Sequence, residues 1–163
     1  MHELLKKITA NIEFRSKVTR VKYLDKIEKA KKAGPHRQVL PCGNLAHGFA
    51  ACAQEEKNRL RGMSRANIAI ISAYNDMLSA HQPYVHYPQL IKEAIFAQGG
   101  TAQFAGGVPA MCDGITQGQA GMELSLMSRD IIALSTAVAL SHNMFDGALM
   151  LGICDKIVPG LLI

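Results

Sequence analysis

The spacing of apolar residues changes near residue 67. Upstream, Leu5, Ile8 and Ile12, and then Val18, Val21, Leu24 and Ile27, recur three or four residues apart among lysines. That period predicts an amphipathic helix, and Gly34-Pro35 supplies its stop. Residues 36–43 read as loop, and 45–61 resume a helical pattern with Asn44 as N-cap. Downstream, Ile68, Ile70 and Ile71 form a short β-branched run that ends at Ser72-Ala73-Tyr74-Asn75-Asp76 and predicts a first buried strand. Leu90, Ile91, Ala94 and Ile95 predict a helix over 84–98, which Gly99-Gly100 closes before a weaker strand over 101–108. Leu124, Met127, Ile131, Leu134 and Val138 predict a largely buried helix over 121–141, and GALMLGI over 147–153 a third buried strand. The expected fold is α/β, a parallel sheet with flanking helices in β-α-β-α-β order, preceded by an amphipathic helical segment. Residues 1–66 are expected to pack on the same domain as 67–163. The apolar 158–163 read as the start of an element that continues beyond residue 163.

Strands separated by helices lie parallel, so their carboxyl ends share one edge, where open α/β sheets bind ligands. Three polar groups follow the three strands: Asn75-Asp76 with His81, Cys112-Asp113, and Cys154-Asp155-Lys156. One site is expected from the three. Thiolates suit iron–sulfur clusters, zinc or Cu(I), whereas carboxylates suit Mg²⁺ or Mn²⁺, so the set implies two centres of different character. Lys156 neutralises the carboxylates, binds an anionic substrate, or is itself a ligand as a carbamate; the residues alone leave the three open.

Composition narrows the class. The chain has 163 residues with 48% hydrophobic and 6% aromatic content, suited to one globular domain with a core rather than disorder. Residues 1–66 carry 15 Lys/Arg against 6 Asp/Glu, while 67–163 carry 3 against 7, so the overall +5 joins a basic half to an acidic one. The basic residues sit at helical spacing, which favours a solvated face over an anion-attracting one. A non-catalytic module whose basic helix, 4–33, contacts nucleic acid or an acidic protein is the competing class. The lack of interleaved aromatics and the distance in sequence from the three polar groups speak against it, and no nucleic-acid partner is expected. Cys42, Cys52, Cys112 and Cys154 form no C-x-x-C pair, consistent with reduced thiols. MHELLKKITANIEF lacks a signal peptide's apolar core, and no run reaches the ~18 apolar residues of a membrane span. A soluble, cytoplasmic protein without a membrane partner is expected.

Two long stretches carry a resemblance. CDKIVPG resembles the C-D-K-x-x-P-G signature of the dihydroxy-acid and phosphogluconate dehydratases, and PAMCDGITQGQAGMELSLMSRDIIA resembles their second signature. PCGNLAHGFAAC and SAYNDMLSAHQPY are closer to the phosphogluconate branch than to the branched-chain amino-acid branch. The resemblance spans the chain. It implies the first part of a two-domain hydro-lyase, an α/β domain followed by a β-rich one, usually a homodimer. The implied reaction removes water from 6-phospho-D-gluconate, a phosphorylated sugar acid, giving 2-dehydro-3-deoxy-6-phosphogluconate in the Entner–Doudoroff pathway. The alternative substrate is a dihydroxy acid of branched-chain amino-acid synthesis. The resemblance further implies an iron–sulfur cluster, of 4Fe–4S type rather than 2Fe–2S, with Cys154 as ligand, and Mg²⁺ or Mn²⁺ held by Asp113, Asp155 and Lys156, the lysine as a carbamate in one branch. A further cluster cysteine, a metal-binding glutamate and the catalytic serine base lie beyond residue 163 in relatives, so this chain alone is expected to be incomplete and inactive. Where some relatives carry a cluster cysteine, this chain has Ala80. Cys112 is the substitute candidate, with Cys42 weaker.

Simpler readings compete at other positions. Cys52, among Ala and Phe, reads as a small buried hydrophobe. His81 beside Gln82-Pro83 is as readily structural as substrate-binding, and Asp76 reads as a helix cap before a substrate group. Met122, Met127 and Met144 read as core packing. Gly106-Gly107, Gly114, Gly118 and Gly121 fit tight turns as well as a phosphate cradle.

Overall fold

The computed structural model describes residues 2–163 and divides into two compact units, one ending at Gly34 and one running Pro35–Ile163. The first is a single helix, α1 (Glu3–Ala33), capped by His2, whose Nδ1 accepts from Leu4 N, and ended by Gly34 at φ 75°. Only glycine takes that conformation without strain, so the Gly34-Pro35 stop acts as expected.

In the second unit a 3-10 turn (His36–Val39) leads to α2 (Cys42–Phe49) and α3 (Gln54–Arg61). The expected single helix over 45–61 is therefore two, separated at 50–53. The first begins at Cys42 with Pro41 at the N-cap position rather than Asn44. Pro41 explains the earlier start, since a proline just before a helix gives up no needed N–H. Phe49, Leu60 and Met144 bury together, with Cys52 packed against them. Cys52 is half-buried there, and its Sγ accepts from Gln103 Nε2 at 3.3 Å.

Strand β1 (Asn67–Ser72) is followed by a 3-10 turn (Gln82–Val85), α4 (Tyr87–Ala97) and β2 (Thr101–Gly107). Gly99, at φ 84°, reverses the chain between α4 and β2. Next come α5 (Asp113–Thr116), a 3-10 turn (Ala120–Leu124), α6 (Ser128–Leu140), β3 (Gly147–Leu151) and α7 (Cys154–Leu162). The sheet runs β2-β1-β3 with both pairings parallel, Asn67 opposite Thr101 and Ile68 opposite Gly147. The register shifts between Ile70 and Ile71 on the β2 side, which leaves Ala105 unpaired as a bulge. With β1 central, β2 and β3 lie on opposite sides of it. The connections diverge there, and their carboxyl ends bound a crevice beside β1.

Ile71, Ala73, Val108, Ile132, Ile157 and Leu161 form the main core, which packs α6 and α7 against the sheet. Two expectations fail here. The stripe Leu124, Met127, Ile131, Leu134 and Val138 is exposed, and α6 buries Ile132 and Thr136 instead. The periodicity marked a real apolar face, but α6 carries a second one, rich in small residues, that fits the sheet more closely: a Cβ at Gly106 would stand 3.3 Å from Ala139 Cβ. The third strand stops at Leu151, forms one of the sheet's two edges and is exposed over most of its length. Met144 is core as expected, whereas Met127 is exposed.

Candidate functional site

The loop after β1 is held by its own polar groups. Ala73 N–H donates to Leu151 O at 3.0 Å, extending the β1–β3 pairing by one residue. Asn75 Oδ1 accepts from Met77 N at 2.9 Å, and Tyr74 Oη donates to Asp76 Oδ1 at 2.9 Å. That bond to Asp76 pushes the Tyr74 phenol up. Asp76 is not a helix cap, because the next helical turn begins at Gln82 with His81 before it. Its short link to Tyr74 orders the loop instead. His81 is buried, stands edge-on to Tyr84 with ring centroids 6.1 Å apart, and places Nδ1 2.9 Å from Ala73 O. The carbonyl only accepts, so Nδ1 carries the proton. Burial and the neighbouring Tyr87 push the Tyr84 phenol up.

Beyond β3 the chain turns sharply into α7. A Cβ on Gly152 would stand 2.8 Å from Ile157 Cγ2, so only glycine lets the turn pack this tightly on the helix. Cys154 then adopts φ 73°, a left-handed value seldom taken by a non-glycine residue and one found disproportionately at functional sites. Its Sγ is 3.6 Å from His81 Nε2. Residues from the ends of the two neighbouring strands β1 and β3 thus meet where the connections diverge.

Lys156, one turn into α7, is 3% exposed and points at two carboxylates. Nζ donates to Asp155 at 2.9 and 3.0 Å, and to Asp113 Oδ2 from the start of α5. Asp113 Oδ1 accepts from Ser125 Oγ at 2.8 Å. The bonds from Lys156 and then Ser125 hold the Asp113 carboxyl below the usual carboxylate range, and Asp113 and then Asp155 hold the lysine above its own. Pro159 lies within α7 and cannot donate to the carbonyl four residues earlier, that of Asp155. Arg129 Nε of α6 donates to that carbonyl at 3.2 Å and fills the gap. Ser125 and Arg129 were not singled out from sequence. Neither follows a strand, and their partners are contacts that only the folded chain creates.

Of the residues expected at the site, the structure joins His81 to Cys154, and Asp113 to Asp155 and Lys156. Cys112 is half-buried and precedes α5, with its carbonyl accepting from Ile115 N at 3.1 Å. Asn75 and Asp76 belong to the same edge, with their side chains engaged locally. Among the described residues no group of three or more His, Cys, Asp or Glu is placed to hold a metal ion. The donor types still fit two centres. Two carboxylates, the donor type a hard divalent ion prefers, converge on the Lys156 ammonium. A thiol beside an imidazole offers the softer set that suits iron.

The dihydroxy-acid/6-phosphogluconate dehydratase N-terminal family matches residues 65–163. The phosphogluconate dehydratase of Pseudomonas aeruginosa is 64% identical over 163 residues, covering 100% of this chain and 27% of that protein. The phosphogluconate dehydratase of Escherichia coli K12 is 63% identical over 161 residues, covering 99% of this chain and 27% of its own length. A dihydroxy-acid dehydratase of Akkermansia muciniphila is 32% identical over 139 residues, 85% of this chain and 22% of the relative. The chain therefore spans about a quarter of the length of these curated relatives.

Proposed function

The chain belongs to the dihydroxy-acid/6-phosphogluconate dehydratase family, and from that we propose that it is the N-terminal portion of a phosphogluconate dehydratase, a cytoplasmic hydro-lyase. The reaction converts 6-phospho-D-gluconate to 2-dehydro-3-deoxy-6-phosphogluconate. The observation that carries this reading is the convergence of Asp113 and Asp155 on the buried Lys156, adjacent in sequence to the strained Cys154. The choice of branch is supported by 64% identity to a phosphogluconate dehydratase against 32% to a dihydroxy-acid dehydratase.

Each proposed role follows from donor chemistry. Removing the C2 proton of a 2,3-dihydroxy acid builds negative charge on its carboxylate, so positive charge must be fixed there beforehand. Asp113 and Asp155 hold that charge, as the ammonium in this structure or as Mg²⁺ or Mn²⁺ in the loaded site. As an ammonium, Lys156 would repel a second cation. As a neutral amine it can attack CO₂, forming an N–C bond and releasing a proton, and the resulting carbamate would add oxygen ligands beside the two aspartates. Ser125 and Arg129 keep Asp113 and the start of α7 in place. Cys154 would hold an iron–sulfur cluster, of 4Fe–4S type, with Cys112 the weaker candidate. When bound, the cluster supplies a Lewis acid for the departing C3 hydroxyl, which is a poor leaving group alone. Asn75 and Asp76 order the rim on the substrate side. The complete enzyme is proposed to be a homodimer.

The test is turnover by a polypeptide carrying these residues at the full length of the relatives, loaded anaerobically with iron, sulfide and Mg²⁺. Preference for 6-phosphogluconate over 2,3-dihydroxyisovalerate is expected, with loss of bound iron on Cys154→Ser. The opposite preference overturns the assignment to this branch.

A further inference from the structure

The cations of the second unit are unevenly placed. Arg37 bonds to Asp146 and the Arg65 carbonyl, and Arg59 to the Gly100 carbonyl, groups that precede β3, β1 and β2. They therefore lie at the end of the sheet opposite the candidate site. At the carboxyl edge, Asp113 and Asp155 outnumber the Lys156 ammonium they bind, and the excess negative charge opposes the approach of an anionic acid. Arg129 offsets it. Its Nε donates to the Asp155 carbonyl at 3.2 Å, and its charge, after the bonds from Lys156 and Ser125, helps hold the Asp113 carboxyl down. A guanidinium is always charged and carries its donors in a planar fork. With Nε engaged, the two terminal nitrogens of Arg129 bond to no described residue. Among the described residues, the buried side-chain nitrogen or oxygen without a partner is Arg37 Nε, so those of Arg129 reach solvent.

We propose that the two terminal nitrogens of Arg129 bind the carboxylate of the 2,3-dihydroxy acid. This rests on the reading of Asp113 and Asp155 as holders of the positive charge that the carboxylate faces. A planar guanidinium matches the two oxygens of a carboxylate in a bidentate pair. Negative charge grows on that carboxylate as the C2 proton leaves, so Arg129 acts in the transition state as well as in binding. Nε serves the Asp155 carbonyl, left without its helical donor by Pro159, and that bond anchors the fork beside the aspartates.

The experiment uses the full-length polypeptide carrying these residues, loaded anaerobically with iron, sulfide and Mg²⁺. Calorimetry compares 6-phosphogluconate with glucitol 6-phosphate, which keeps the phosphate and has an alcohol in place of the carboxylate. Arg129→Gln is expected to weaken the first by about 10–100-fold and to leave the second unchanged. In turnover, kcat should fall together with kcat/KM. Equal weakening of both ligands, or of neither, overturns the proposal. Pro159→Ala separates the two ends of the arginine, because the restored amide N–H serves the Asp155 carbonyl. The loss should persist in that background, and its disappearance there would show that Arg129 acts only through α7. In the parent protein, 6-phosphogluconate should protect Arg129 from phenylglyoxal and saturating glucitol 6-phosphate should not, as read by mass spectrometry. Protection by both or by neither overturns the proposal, and this result needs no variant to fold. A parent protein that turns over 2,3-dihydroxyisovalerate and does not bind 6-phosphogluconate overturns the choice of substrate. The contact is then read from that acid, and an unchanged kcat/KM in Arg129→Gln overturns it.

Discussion

The contact between α6 and α7 can be tested by adding one methyl group. Gly160 is buried in α7, and a Cβ there would stand 2.8 Å from both Cβ and Cγ2 of Ile132 and 2.9 Å from Arg129 O. Neither neighbour is the free end of a flexible side chain: Arg129 O is backbone in the first turn of α6, and Ile132 is fully buried. Overpacking of this kind costs about 1–3 kcal/mol. The better helix propensity of alanine returns about 1 kcal/mol, and a clash with backbone and a branched Cβ belongs at the upper end, so Gly160→Ala should destabilise by about 1–2 kcal/mol. For a chain of this size that lowers Tm by about 2–8 °C. The same substitution at Gly43 in α2, where nothing lies within 4 Å of the added Cβ, should instead stabilise by about 0.5–1 kcal/mol. Urea and thermal denaturation followed by circular dichroism measure both. Gly160→Ala as stable as the parent protein, or more so, would refute the close helix contact. Because α7 carries Cys154, Asp155 and Lys156, that contact also sets where the candidate ligands sit.

Three further outcomes are expected. Arg37 is fully buried, and its guanidinium bonds to the Asp146 carboxylate and the Arg65 carbonyl. Asp146→Ala should therefore cost about 3–5 kcal/mol by leaving a buried charge without its counter-ion, measurable as a fall in the urea midpoint. Burial, and then the Glu56 carboxylate, push the Cys52 thiol up; alkylation at pH 8 should reach exposed Cys42 first and Cys52 slowly. A thiol raised by folding contributes stability that is intact below its unfolded pKa and is lost as pH rises through the folded value, so Cys52→Ala should flatten the decline in stability above pH 9. Finally, Arg129→Gln should cost less in a Pro159→Ala background than in the parent protein, because the restored amide N–H takes over the Asp155 carbonyl. The coupling in a double-mutant cycle should be about 0.5–1.5 kcal/mol, and zero coupling would show that Arg129 does not serve that carbonyl.

Much of the architecture is local and could be read along the chain. The β-branched run at 68–71, the Gly34-Pro35 and Gly99-Gly100 stops and the alternation of strand and helix each reflect a backbone preference or a period that needs no distant partner. Parallel pairing follows from that alternation, and with it the expectation that polar residues after the strands share an edge. The convergence of Asp113, Asp155 and Lys156 was legible for that reason. Other features depended on what each segment meets. The stripe Leu124, Met127, Ile131, Leu134 and Val138 has the period of a buried face, yet α6 buries Ile132 and Thr136, while its Ala139 approaches Gly106 closely. The third strand looked buried by its apolar content and proved to be an edge. His81, evenly balanced in the sequence between two roles, comes within 3.6 Å of Cys154 Sγ only in the folded chain. Ser125 and Arg129 were invisible in the pattern, since a hydroxyl and a guanidinium become supports for Asp113 and α7 only through distances that exist in the folded chain. Sequence periodicity determined which elements form and at which edge the polar groups gather. Tertiary packing decided which face of each element is buried and which pairs of donors touch, because both depend on the fit between surfaces distant along the chain.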